Sequence, residues 1–132
     1  MDNELLEIAI NLRKKYNKVS ELLDITQQMS GCISRNDMVS FKIYLKMRTD
    51  ILLEIEEINN RREQLVAALE PQKAQRARYL MQKDMVVPDD LSAEDLKLYS
   101  TFMDCKSAAA KLVAIDKVMS KKICGDKSFY KK

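Results

Sequence analysis

At 132 residues and a net charge of +3, the chain is one domain's worth of polypeptide, and 2 Gly and 2 Pro beside 46% hydrophobic residues leave too few breakers for a sheet protein. With 0 His, the commonest general base and metal ligand are missing, and no phosphate-loop, dinucleotide-binding or nucleophile-elbow motif occurs. No apolar run reaches the roughly 18 residues a membrane span needs, and Met1 to Glu7 lacks the basic start and apolar core of a secretory signal, so a cytoplasmic chain with no membrane span is expected.

The fold class this implies is all-α: an elongated antiparallel, coiled-coil-like bundle of three long helices and one short segment, forming a single domain. The first helix is expected over residues 3–30, capped by Asp2 or Asn3. Leu5, Ile8, Leu12, Tyr16, Val19, Leu23 and Met29 keep helical spacing along it, and Gly31 suits a left-handed close. Its acidic start and its basic middle, Arg13, Lys14 and Lys15, suit the helix dipole or a solvated face.

A long helix is expected over 34–69, opened by a capping box from Ser34 to Asp37 and stopped by Pro71; it would be roughly 54 Å long. Met38, Phe41, Leu45, Leu52, Ile55, Val66 and Leu69 form one row on it, and Tyr44, Ile51, Ile58 and Leu65 a second. Arg48 and Arg62 interrupt the stripe in register. Each guanidinium either snorkels to water or an acidic partner, or meets a ligand anion inside the bundle.

Residues 72–84 read as a short helix or bent segment and 85–91, with Pro88 and Asp89-Asp90, as a linker. The last helix, 92–124, opens with a second capping box from Ser92 to Asp95. Leu98, Phe102, Cys105, Ala109, Leu112, Ile115 and Met119 form its apolar face. A basic tail, 125–132, follows. From Lys117 onward there are 6 lysines against Asp126 alone, yet no base-reading module accompanies them, so no nucleic-acid partner is expected.

Cys32, Cys105 and Cys124 are widely spaced with no second ligand near, and read as reduced apolar side chains with no metal or cofactor. The adjacent acidic pairs diverge on a helix, which leaves no catalytic residue. One enzymatic alternative survives: small all-helical mutases of the chorismate type hold a dicarboxylate between buried arginines, and Arg13, Arg48 and Arg62 are the cations available for it.

The stretch LLDITQQMSGCISRNDMVSFKIYLKMRTDILLEIEEINNRREQL resembles the flagellar export chaperones of the FlgN and FliT type. The matching features are the Ser30-Gly31 turn, the Ser34 to Asp37 cap, the basic position Arg48, and the run Ile51-Leu52-Leu53-Glu54-Ile55. The end, AIDKVMSKKICGDKSFYKK, is similar to the FliT type, with Asp116 and Tyr130 at the matching positions.

The resemblance implies a protein without enzymatic activity that binds the amphipathic C-terminal helix of a hook–filament junction or filament-cap protein, prevents its premature assembly and delivers it to the export apparatus. The expected client-binding surface is Leu98, Phe102, Leu112, Ile115 and Met119 on the last helix, shared with Tyr44, Ile51 and Ile58. Its methionines, 8 in all, suit repacking around differing ligands. The rival in another class is a structural coiled coil that pairs with itself as a homodimer.

Overall fold

A computed structural model describes residues 3–82 and 89–124 as four helices: α1 Asn3–Ser34, α2 Met38–Ala67, α3 Pro71–Leu80 and α4 Ala93–Cys124. There is no strand among the described residues, and the architecture is an all-α bundle. The Pro88 linker lies mostly, and the basic tail wholly, outside the described residues.

Boundaries differ from the sequence expectation at the end of α1, at both ends of α2, which closes at Ala67 and not at 69, and at α3, which is Pro71–Leu80 and not 72–84. α1 does not close at Gly31; it continues to Ser34, because Met29, Ser30 and Cys32 on that last stretch are buried against the rest of the bundle, and packing outweighs the low helix propensity of one glycine. The left-handed residue of the turn is Asn36, at φ 61°, a conformation that asparagine tolerates better than most side chains. The first capping box therefore does not form at Ser34, whose Oγ instead donates to the Ser30 carbonyl at 3.3 Å inside α1. Asp37 is the cap of α2, accepting from the Ser40 amide at 3.1 Å.

The second capping box forms as its residues spell. The Asp95 amide donates to Ser92 Oγ at 3.1 Å, and the Ser92 amide donates to Asp95 Oδ2 at 3.3 Å. Pro71 opens α3 at its first turn, where a missing amide proton costs nothing.

α1 is the central helix and packs along its length on both α2 and α4, whereas α2 and α4 share next to no backbone contact. Cross-links fix the directions. Asn11 meets Ile58, Lys18 meets Glu54 and Thr26 meets Arg48, so α2 runs antiparallel to α1. Arg13 meets Asp104 and Ser30 meets Lys122, so α4 runs parallel to α1.

The core falls into two clusters. One gathers Leu5, Ile8 and Leu12 of α1 with Val66, Leu69, Ala74, Ala77, Leu80, Leu98 and Cys105; the other gathers Leu22, Ile25 and Met29 with Ile51 and Met119. α3 folds back after Glu70 and bridges α2 and α4 over the first cluster only. At about 1.5 Å per residue its 10 residues reach about 15 Å, against about 45 Å for the 30 residues of α2. Most of the gap between α2 and α4 is therefore beyond its reach.

Candidate functional site: the face between α2 and α4

Arg48 and Asp116 span the gap that α3 leaves open. Arg48 Nη2 donates to Asp116 Oδ2 at 3.2 Å, and its Nη1 donates to Thr26 Oγ1 of α1, which in turn donates to the Leu22 carbonyl at 2.7 Å. Asp116 Oδ1 lies 3.2 Å from Nη1, close enough for an ion pair, but it accepts no hydrogen bond. The bridge covers Thr26, which has no exposed surface.

Around this bridge the surface is apolar. Leu45 and Leu52 flank Arg48 at helical spacing on α2, and Val113 precedes Asp116 by one turn on α4. These three side chains are 44%, 44% and 53% exposed, too much water contact for core residues, and helical spacing puts them on the side of α2 and α4 that α3 leaves uncovered. Beneath them Phe41, Tyr44, Ile55 and Leu112 are half-buried against the second core cluster. Lys42 and Lys117 stand exposed one step further round each helix and give the rim a basic character.

The residues expected to bind a client divide by depth. Leu98, Ile51 and Met119 are interior side chains, at 0%, 7% and 8% exposure. Phe102 is half-buried beside the first cluster, Tyr44 and Leu112 are half-buried against the second, Ile58 is half-buried on the outer α1–α2 edge beside Lys14, Lys18 and Glu54, and Ile115 is half-buried on α4. The exposed side chains of the face, Leu45, Leu52 and Val113, are not in the expected set. Their signal was present as spacing from Arg48 and Asp116, but periodicity does not say which edge of a stripe a neighbour covers.

A second polar feature lies between the two clusters. Arg62 Nη1 donates to Asn11 Oδ1 at 3.0 Å and Nη2 to Asn59 Oδ1 at 2.8 Å, while Asn11 Nδ2 donates to the Ile58 carbonyl at 3.0 Å. Lys15 of α1 and Cys105 of α4 share this layer, with Cys105 Sγ donating to the Leu12 carbonyl at 3.0 Å. Burial, reinforced by the Arg62 charge, pushes the Lys15 pKa down; burial also lowers that of Arg62 and raises that of the Cys105 thiol. Lys15 was expected to suit the helix dipole or a solvated face, yet it continues the Ile8, Leu12, Val19 stripe at steps of three and four, and that spacing is the signal that places it inward.

The three candidate arginines of a mutase-like site do not converge. Arg13 pairs with Asp104 at 3.0 Å on the outer α1–α4 edge and lies over the Tyr16 ring; Arg48 and Arg62 occupy separate layers with separate partners. All three cysteines are free thiols. Among the described residues no group of His, Cys, Asp or Glu side chains is placed to hold a metal ion, and no helix is long and apolar enough to cross a membrane. In comparison with known proteins, no family model matches the chain, and neither a curated protein nor a solved structure matches it.

Proposed function

We propose that this chain is a helix-binding chaperone of the flagellar export type, which holds the amphipathic C-terminal helix of a hook–filament junction or filament-cap protein in the cytoplasm and keeps it from assembling before export. The observation that carries the reading is the uncovered apolar face between α2 and α4, where Leu45, Leu52 and Val113 stand exposed above half-buried Phe41, Tyr44 and Leu112. α3 fills the corresponding position at the other end of the bundle, so a helix is the shape that would continue it. A client helix would lay residues at i, i+3, i+4 and i+7 along the face. Of the residues named from the sequence, Tyr44 and Leu112 would contribute contact and Ile51 and Met119 would support it from within, while Leu98 and Phe102 belong to the end that α3 covers and Ile58 to the outer α1–α2 edge.

The test is isothermal titration of the chain with synthetic C-terminal helices of junction and cap proteins. Binding is expected, and Leu52→Glu should abolish it without changing the circular dichroism or the melting temperature, because that side chain is already half in water. The same exposed face favours the second reading, a self-pairing coiled coil. A stable dimer at low micromolar concentration that Leu52→Glu dissociates, with no peptide bound, would replace the chaperone reading by that one.

A further inference from the structure

Most buried or bridging cations of this molecule have an acid to answer them. Arg48 has Asp116, Arg13 has Asp104, Lys18 has Glu21 and Glu54, and Arg76 has Asp90 and Asp95. Lys122, an exposed lysine, bridges to Ser30 and Ser34 oxygens instead, and the layer between the two core clusters is where half-buried cations go without an acid. Arg62 is half-buried and its hydrogen-bond partners are the neutral amide oxygens of Asn11 and Asn59. Lys15 is half-buried within range of the same guanidinium, and no hydrogen bond or ion pair to it exists among the described residues. The carboxylate of Glu63, whose charge acts on Arg62, is exposed and forms no ion pair with either cation.

Two like charges with no bonded counter-charge among the described residues oppose folding, since each loses hydration and repels the other. An apolar side chain at position 15 would continue the Leu12 and Val19 stripe and remove that cost. A local conflict of this kind, in a fold whose other choices agree, marks a place kept for something other than stability. Beside it, between α2 and the end of α3, is a cavity of about 310 Å³ lined by Arg62, Glu63, Val66, Arg78 and Met81. It adds a further guanidinium and room for a small polar group. The layer stands where the cover of α3 ends and the open α2–α4 face begins.

We propose that the Lys15–Arg62 layer is a receptor for one carboxylate, supplied by an Asp or Glu set within the apolar stripe of the helix that docks between α2 and α4. The inference rests on the helix-binding reading. It adds to that reading a chemical requirement on the partner: an acidic side chain at the level where α3 stops, with the guanidinium of Arg62 and the ammonium of Lys15 as its two donors. Charge complementarity, and not apolar area alone, would then set the register of the docked helix, because a slip along the stripe by one turn leaves the cations unanswered.

Labelled amphipathic peptides of about 20 residues, enough to span the open part of α2 at about 1.5 Å per residue, provide the test by fluorescence anisotropy. One carries Gln at every polar position of its stripe; the others replace one Gln by Glu at successive turns. One Glu peptide is expected to bind about 10-fold more tightly than the Gln peptide, with Lys15→Met and Arg62→Gln each erasing that difference but not the Gln peptide's own affinity.

Lys15→Met should also raise the melting temperature of the free chain; a fall would show the lysine to be structural and overturn the proposal. Equal binding of all the peptides would overturn the carboxylate receptor and leave the helix-binding face standing, whereas no binding by any would remove the helix reading itself. Stabilisation by succinate, with no preference among peptides, would give the layer to a free dicarboxylate and overturn the assignment to a helix.

Discussion

Arg48 and Arg62 interrupt the same stripe of α2, yet their surroundings differ in kind. Arg48 is answered by Asp116 and Thr26, with side-chain exposures of 18% and 35% across the pair, so the bridge is neither a surface pair nor a sealed one. Removing one partner should therefore cost less than the roughly 3–5 kcal/mol of a fully buried pair: Asp116→Ala is expected to lower unfolding free energy in urea by about 1–2 kcal/mol. Arg48→Met combined with Asp116→Leu should restore most of it, since apolar replacements fill the same space. An Asp116→Ala denaturation curve superimposed on the parent's would show that the pair is solvated and holds nothing. Among the described residues Arg62 meets only neutral oxygens, and nothing in the chain's spacing marks this asymmetry, because both arginines stand at the same phase of the helix.

At the scale of the element, the caps tell two stories. Ser92 and Asp95 form their reciprocal box, and Asp95 is further held by Arg76 of α3 at 3.0 Å, so the start of α4 is tied to the segment before it. Ser34 and Asp37 have the same spacing and do not form one, because α1 runs on through Ser34 and Asp37 becomes the cap. The Ser40 amide first, then its hydroxyl, hold the Asp37 carboxyl below its usual range. A carboxyl with a depressed folded pKa contributes stability that is full above its unfolded pKa and disappears as pH falls through the folded value. Asp37→Ala should accordingly lower the melting temperature at neutral pH, and thermal scans should show the gap to the parent closing in acid. A gap that persisted at low pH would mean the loss came from packing and not from the charged cap.

For the whole molecule, burial is unequal among the long helices. α1 is packed from both sides, with Ile8, Thr26 and Cys32 fully buried, whereas only Ile51 and Val66 are buried on α2. Local opening follows such differences. Hydrogen exchange read by mass spectrometry should find the slowest amides in α1 between Leu12 and Met29 and the fastest helical amides in α2 between Met38 and Met47. Binding of a client helix should slow the second set most. Equal protection of both stretches in the free chain would indicate that the α2–α4 face is already closed.

Much of the fold was written in the spacing of apolar residues. Steps of three and four set the helices, the near absence of glycine and proline set their length, and Pro71 set the stop after α2, because these are local constraints that act wherever the chain goes. What the helices cover was decided elsewhere. Gly31 is helical because α1 is clasped on both sides; Leu98 and Met119 are interior while Leu45 and Leu52 meet water; and Lys15 is drawn inside beside Arg62. A stripe wide enough to face two neighbours carries no mark of which neighbour is short, and only the packing of α3 over one end shows where the other is left open.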